Sequence, residues 1–344
     1  MVAVTRKTEG WTYSKAGVNI DDKSSAIDSL VGELRYRRKG RGTMVPSKGL
    51  FASLIDFGDV YLTLATDGVG TKLLVAEELG IWDTVGIDCI AMNVNDTICV
   101  GAEPMSFVDY VAIGKPAGEI TKAIGVGLEK GAEMSNMEIV GGEIAVLPEM
   151  VNGVDISGTC LGFVEKDRVV TGKECAEGDL IVALEATGIH SNGLTLARKV
   201  FEDAGYSMKD GCRGLKKTVG MELLTPTAIY VKEVLGILAE HEVHGLVNIT
   251  GGGLRNFLRL NPAHRYTISE PVKPNPVFGV IAELGNVSVK EMYQTFNMGM
   301  GFAIVAPEDS AEEIGKMPGA KVVGRVERGK GSYFEPEKLL YENY

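Results

Sequence analysis

Residues 61–80 read YLTLATDGVGTKLLVAEELG, which begins like a buried strand and ends like a helix. The turn between them consists of Asp67, Gly68, Val69, Gly70, Thr71 and Lys72. Its two glycines let the backbone approach a ligand closely, and the helix that follows offers free N–H groups to an anion. Lys72 adds a point charge suited to phosphate. Simple capping of the helix also explains a turn of this kind.

Three acidic residues indicate that a cation accompanies the phosphate. Asp67 repels phosphate unless a metal lies between them, so the turn predicts a metal-bound phosphate such as Mg²⁺-ATP. The Walker A pattern is absent. Asp96 interrupts an apolar helix, and Glu143 is expected after a glycine pair at the end of a strand. Asp67, Asp96 and Glu143 are therefore predicted metal ligands. The alternative is that Asp96 pairs locally and Glu143 lies in a surface turn.

Strand and helix patterns alternate along the 344 residues, which predicts a mixed α and β protein of two domains, 1–170 and 171–344. A helix is predicted from Trp82 to Val100, with an aliphatic stripe on one face and Cys89, Asn93 and Asp96 on the other.

Composition excludes several classes of protein. Apolar residues make up 45% and charged residues 24%, as is ordinary for a soluble globular chain. The net charge of −11 argues against nucleic-acid binding, and no apolar run is long enough for a membrane helix. The five cysteines form no CxxC pair and the N-terminus resembles no signal peptide, so we expect a reducing, cytoplasmic location.

Two further glycine loops precede expected helices. In the loop 187–193, His190, Ser191 and Asn192 could donate to a phosphate or a polar substrate, and His190 could act as general acid or base. A lone histidine before a helix is, however, more often structural. The loop 248–253 contains Gly251 and Gly252 and predicts an anion-binding nest.

Taken together, these stretches resemble the phosphoribosylformylglycinamidine cyclo-ligase (aminoimidazole ribonucleotide synthetase) family over nearly the whole chain. The blocks that carry the resemblance are YSKAGVNID (13–21), TDGVGTK (66–72), GIDCIAMNVND (86–96), VGAEP (100–104), VDY (108–110), VGGE (140–143), TGIHSNGLTLARKVF (187–201), LLTPTAIYVK (223–232), NITGGG (248–253) and EMYQTFNMGMGF (291–302). Any one of them is weak alone, whereas ten in the same order are specific.

The resemblance implies an α/β (α+β) chain whose N-terminal mixed sheet forms a homodimer interface and whose C-terminal domain is an α/β sandwich. It implies ATP-dependent ring closure of a ribonucleotide substrate, formylglycinamidine ribonucleotide, with ATP and Mg²⁺. It assigns Mg²⁺ to the three acids, and ATP to residues 67–72 with Asn93 and Gly142. Substrate binding falls to His190, Ser191, Asn192, Gly251 and Gly252, and catalysis to His190, Asn192 and Lys72.

Four positions depart from the family pattern: Asn19 stands for Asp, Ala228 for Arg or Lys, Ile144 for Thr and Asn248 for His. An asparagine can donate a hydrogen bond but cannot transfer a proton as histidine does. Two alternatives to the cyclo-ligase therefore stay open. One is a related ATP-using enzyme acting on another small substrate, and the other is a non-catalytic nucleotide-binding paralogue.

Overall fold

The structure is a computed structural model that describes residues 10–18, 20–47 and 49–343, apart from the side chains of residues 20, 21, 23 and 24. The expectations for the first nine residues and for Asn19 lie outside these ranges. Two separate sheets, one in each half of the chain, organise the molecule.

The N-terminal sheet has six strands in the order β1-β2-β3-β6-β4-β5. Neighbouring strands are antiparallel except for β4 and β5, which are parallel because a helix crosses between them. The sheet is therefore mixed, as predicted. The strands are β1 Thr43–Val45, β2 Ser53–Phe57, β3 Val60–Gly68, β4 Glu103–Ile113, β5 Glu138–Val146 and β6 Val154–Glu165.

The described residues of this half of the chain form the helices α1 Ile20–Glu33, α2 Lys72–Leu79, α3 Val85–Ile98 and α4 Gly118–Ser135. α3 lies against the sheet, and α4 packs closely on α3. The two helices approach so closely at Gly86 that a side chain there would overlap the backbone of Leu128. The predicted division of α3 into an apolar and a polar face is wrong. Cys89 and Asn93 are as buried as the aliphatic residues, since helices of both domains enclose α3.

The face of the N-terminal sheet that points away from α3 is covered by no described residue and is rich in apolar side chains. Large hydrophobic residues of this face are at least two-fifths exposed: Met44, Phe57, Leu64, Met105, Val108, Tyr110 and Val140. A monomer rarely presents so many apolar side chains together unless the surface is used.

The C-terminal sheet has seven strands in the order β13-β12-β9-β11-β7-β10-β8, antiparallel except between β9 and β12. Its strands are β7 Leu180–Glu185, β8 Gly245–Asn248, β9 His264–Ile268, β10 Met300–Ala306, β11 Ala320–Arg328, β12 Gly331–Phe334 and β13 Leu339–Tyr341. Its helices are α5 Leu194–Asp203, α6 Val219–Leu223, α7 Val231–Glu240, α8 Pro276–Gly285, α9 Val289–Thr295 and α10 Glu308–Ile314, with 3₁₀ turns at Gly253–Arg259 and Glu335–Glu337.

The fold class predicted from the sequence, a mixed α and β chain with two sheets, is confirmed. Two local expectations are wrong. Strand β5 continues to Val146, so Glu143 lies within a strand rather than after its end, because the parallel pairing with β4 extends to Ile113. The helix expected after the loop 248–253 is a single 3₁₀ segment. Among the described residues, no helix is both long and apolar enough to span a bilayer.

Candidate functional site

The three glycine loops singled out in the sequence meet where the two domains face each other. The DGVGTK turn, residues 67–72, touches the beginning of α5 through a hydrogen bond of 2.9 Å between the hydroxyls of Thr71 and Thr195. The loop 187–193 meets the loop 248–253, since a side chain at Gly251 would come within 2.9 Å of Asn192 Oδ1. We call the space bordered by these three loops and α3 the interdomain cleft.

Asp96 connects α3 to the C-terminal domain in this cleft. Asn248 Nδ2 donates to Asp96 Oδ1 over 2.8 Å. Burial raises the pKa of Asp96 to about 7, although the hydrogen bond from Asn248 opposes the rise. The negative charge of Asp67 raises this pKa further, and the positive charge of Arg259 lowers it. Asp67 and Asp96 therefore lie close enough to repel each other.

The structure does not bring Glu143 to the other two predicted metal ligands. Glu143 stands opposite Tyr110 in the β4–β5 register, while Gly142 adjoins Asp109 on the other side of the sheet. Since successive strand residues point to opposite faces, Glu143 lies on the apolar face that no described residue covers. No group of three His, Cys, Asp or Glu side chains within the described ranges is arranged to hold a metal ion.

Lys72 does not have the mobility that the phosphate-binding prediction required. Its side chain is fully buried, and Nζ donates to Asp88 Oδ1 over 2.8 Å and to the Thr225 carbonyl over 2.7 Å. Burial lowers the pKa of Lys72, and the carboxylate of Asp88 opposes that effect. In this geometry the ammonium group binds a protein carboxylate and is not presented to the cleft.

Asp88 and Thr227 are residues that the sequence reasoning missed. Asp88 Oδ1 accepts hydrogen bonds from Thr227 N over 2.8 Å and from Thr227 Oγ1 over 2.6 Å, in addition to the bond from Lys72. The sequence did contain a signal for Asp88, because it is an acid within the apolar helix GIDCIAMN. A buried helix tolerates an acidic side chain only when its charge is paired.

Asn93 also has a role other than the predicted contact with ATP. Its side chain is fully buried, and Nδ2 donates to the Asp67 carbonyl over 3.2 Å and to the Cys89 carbonyl over 2.8 Å. Asn93 thus anchors the end of β3, and with it Asp67, to α3.

His190 is buried and neutral in the structure. Its backbone has φ = 61°, and its Nε2 accepts a hydrogen bond of 3.3 Å from the Thr187 N–H. Burial, together with the charge of Lys72, lowers the pKa of His190 to about 3. An imidazole with this pKa stays unprotonated near pH 7, so the geometry favours a structural role over the predicted acid–base role.

Ser191 and Asn192 are partly exposed to the cleft, as a substrate-binding role requires. The Ser191 and Thr227 hydroxyl oxygens lie 3.0 Å apart, and Asn192 Nδ2 donates weakly to the sulfur of Met92 over 3.8 Å. Both side chains are therefore oriented by residues at the domain interface.

A cavity of about 680 Å³ opens at the edge of the N-terminal sheet where β4 ends and β6 begins. Its wall combines the Trp82 ring with Ile113, Ile120 and Val154, and Lys115 supplies a positive charge. Glu77 and Gly80 at the C-terminal end of α2 also line the cavity, and α2 connects it to the DGVGTK turn.

Comparison with known proteins assigns a family to this arrangement. The description "AIR synthase related protein, N-terminal domain" matches residues 51–164, and "AIR synthase related protein, C-terminal domain" matches residues 176–335. The chain belongs to the AIR synthase related family. The boundary predicted at residue 170 falls between the two matched ranges and stays a prediction.

Within the AIR synthase related family, proteins named phosphoribosylformylglycinamidine cyclo-ligase are similar to this chain over most of its length. The protein of Methanococcoides burtonii is 49% identical over 316 residues, covering 92% of this chain and 94% of the relative. That of Methanocaldococcus jannaschii is 48% identical over 324 residues, covering 92% of each.

Solved structures at lower identity share the fold. Thiamine monophosphate kinase from Aquifex aeolicus superposes with a TM-score of 0.61 at 17% identity, covering 94% of this chain and all of that chain. HypE from E. coli superposes with a TM-score of 0.62 at 21% identity, covering 82% of this chain and 85% of that chain. A HypE structure solved in complex with ATP superposes with a TM-score of 0.58 at 18% identity, covering 80% of this chain and 81% of that chain.

Proposed function

We propose that this chain closes the imidazole ring of formylglycinamidine ribonucleotide in purine biosynthesis, consuming ATP. The products are 5-aminoimidazole ribonucleotide, ADP and phosphate. The observation that carries the proposal is the 49% identity to a cyclo-ligase over 92% of the chain. The interdomain cleft supports it, because loops from both domains converge there with the carboxylates, amides and hydroxyl that a polar nucleotide substrate needs.

The reaction requires that an oxygen become a leaving group. Transfer of the γ-phosphoryl group of ATP to the formamide oxygen of the substrate supplies that group. A substrate nitrogen then attacks the same carbon, the ring closes, and the oxygen departs as phosphate. Because phosphoryl transfer needs little covalent help from the protein, the residues of the cleft act chiefly by positioning the two nucleotides.

Asp67 and Asp96 fit the Mg²⁺ ion that would accompany ATP. Burial, and to a smaller extent the charge of Asp67, raises the pKa of Asp96, and a divalent cation held by the two carboxylates would offset both effects. Mg²⁺ uses one or two carboxylates and takes its other ligands from phosphates and water, so the absence of a third described acid at this place is no obstacle. When bound, the ion would neutralise charge on the transferring phosphoryl group.

The adenine ring of ATP fits the cavity at the C-terminal end of α2. At about 680 Å³ the cavity has the size of a nucleotide site, and Trp82 with Ile113 offers an apolar surface to a flat base. The triphosphate would then extend over Gly68 and Gly70 toward the two carboxylates. Thr71 at the start of α2 adds backbone N–H groups and the positive end of the helix dipole. We therefore assign phosphate binding to the turn's backbone, without Lys72.

The ribonucleotide would lie on the other side of the cleft, against the loops 187–193 and 248–253. Gly251 and Gly252 leave the backbone open for a phosphate group, and Arg259 brings positive charge near Asp96. Ser191 and Asn192 supply polar contacts from the facing loop.

The apolar face of the N-terminal sheet fits a second copy of this chain. An isologous contact would cover the exposed apolar residues of both copies at once, and it would also bury Glu143 at or near the interface. We therefore propose a homodimer formed through this sheet.

The test of the proposed function is a turnover assay with purified protein, Mg²⁺-ATP and formylglycinamidine ribonucleotide. We expect ADP and aminoimidazole ribonucleotide, detected by its diazotisable amine, to appear in equal amounts and only when both substrates are present. ADP formation that does not depend on the ribonucleotide, or ATP binding without turnover, would contradict the proposal.

A further inference from the structure

A chain of hydrogen bonds runs from the buried ion pair to the cleft. It passes from Lys72 to Asp88, from Asp88 to Thr227, and from Thr227 to Ser191, with distances of 2.8 Å, 2.6 Å and 3.0 Å between successive partners. Its first two members are fully buried, whereas Ser191 is partly exposed. The chain thus links the core of the domain interface to a side chain that can touch a ligand.

The direction of each proton in this chain follows from the chemistry of the partners. An ionised carboxylate has only acceptor oxygens, so the Thr227 hydroxyl must donate its single proton to Asp88. Thr227 Oγ1 then has only lone pairs to offer to its second neighbour. Ser191 must therefore donate its own proton to Thr227, and no proton of Ser191 remains for a ligand.

We propose that this proton order makes Ser191 a dedicated hydrogen-bond acceptor in the interdomain cleft, so that it selects substrates carrying an N–H or O–H donor. Asp88 and Thr227 are positioning residues that impose this polarity. The inference rests on the proposed function, in which the ribonucleotide occupies the cleft, and it refines that function. Ser191 would accept from the amidine N–H groups or a ribose hydroxyl and would not bind a phosphate oxygen, as the sequence had suggested it could.

The ion pair between Lys72 and Asp88 stabilises this order of proton donation. Asp88 Oδ1 accepts three hydrogen bonds, from Lys72 and from the amide and hydroxyl of Thr227, so the threonine is held at two points. Asp88 Oδ2 is buried and makes no hydrogen bond to any described residue, so the hydrogen bonds that stabilise the carboxylate all reach Oδ1. Reversing the order would remove one of the three hydrogen bonds to Oδ1 and would bring the lone pairs of Thr227 Oγ1 against the carboxylate oxygen at 2.6 Å, which is repulsive.

The experiment is a double-mutant cycle on Ser191 and Thr227 with steady-state kinetics for both substrates. Ser191→Ala removes the acceptor, and Thr227→Val keeps the shape of threonine but removes the hydroxyl that orients Ser191. We expect each variant to raise KM for formylglycinamidine ribonucleotide about tenfold, a change of about 1.4 kcal/mol, and to leave KM for ATP within about twofold. The double variant should be no worse than Ser191→Ala alone, because Thr227 acts only through Ser191.

Three results would overturn the inference. The first is a double variant whose KM for the ribonucleotide rises about a hundredfold, as two independent effects require. The second is an equal rise in KM for both substrates, and the third is an unchanged KM for the ribonucleotide in Thr227→Val. Thr227→Ser is the conservative control, since it retains the hydroxyl and should restore most of the affinity. A melting temperature measured for every variant separates lost folding from lost recognition.

Failure of the proposed function gives a different result. A wild-type protein that does not turn over formylglycinamidine ribonucleotide would contradict that function and leave the proton order to be tested in the free protein. There, Thr227→Val should speed amide hydrogen exchange in residues 187–193 and Thr227→Ser should not. Equal exchange in the wild type and both variants would contradict the inference.

Discussion

Replacing Lys72 by methionine tests whether the buried ion pair holds the two domains together. The substitution keeps the length of the side chain and removes the charge. It leaves the Asp88 carboxylate with only the two hydrogen bonds from Thr227, and it leaves the Thr225 carbonyl without its donor. Breaking a buried pair at one partner usually costs about 3–5 kcal/mol, and the orphaned carbonyl belongs to that cost. This is a large share of the roughly 5–15 kcal/mol that stabilises a native protein.

The matching variants make the prediction specific. Asp88→Asn alone leaves the Lys72 ammonium buried without its counter-charge, so we expect a loss of similar size. The double variant Lys72→Met with Asp88→Asn carries no buried charge, while the amide oxygen still accepts from Thr227. We expect it to lie within about 1–2 kcal/mol of the wild type. The two changes should therefore be strongly non-additive.

Urea unfolding followed by circular dichroism, at one fixed protein concentration, gives the free energy of unfolding for each variant. Lys316→Met is the matched control, because Lys316 forms an exposed pair with Glu313 and should lose less than about 1 kcal/mol. A Lys72→Met variant within about 1 kcal/mol of the wild type would refute the reasoning. So would a double variant whose loss equals the sum of the single losses.

Four further predictions concern the cleft, the sheet and the surface. Asn248→Ala should lower kcat at least about tenfold, whereas Asn248→His should keep activity, because an imidazole N–H can donate the same bond to the neighbouring carboxylate; equal kcat values would contradict this. ATP should change the tryptophan emission of the wild type but not of Trp82→Phe, and a change that survives the substitution would place the base elsewhere. Val108→Asp should convert the proposed dimer to a monomer in light scattering, while Val126→Asp, at a more exposed site on α4, should not; a dimeric Val108→Asp would exclude this face. Burial lowers the pKa of His244, but its hydrogen bonds to two carboxylates outweigh burial, so the pKa is raised in the folded protein. The stabilisation of the folded state by His244 is therefore complete below about pH 6.5 and is lost as the pH rises through the folded-state pKa. His244→Gln should therefore lose about 0.5–1 kcal/mol at pH 6 and less at pH 9, and a loss independent of pH would oppose this.

The sequence by itself determined the elements and the family. The alternating strand and helix patterns placed β3 and α3 to within a few residues, because hydrophobic periodicity records which side of each element is buried. The glycine turns were recognisable because few other residues allow a close approach of the backbone. Ten motifs in order identified the cyclo-ligase family, and the 49% identity over 92% of the chain bears this out.

Only the tertiary structure decided what each polar residue of the turn and the cleft does. Lys72 and Asp67 look equally suited to a ligand in sequence, yet Lys72 is buried against the Thr225 carbonyl, 153 residues away. Glu143 shares its motif with Gly142, but the pleat of β5 turns it to the other face of the sheet. Burial lowers the pKa of His190 through neighbours that periodicity does not reveal. Local patterns encode local structure, whereas charge, burial and proton direction depend on residues that folding brings together from distant parts of the chain.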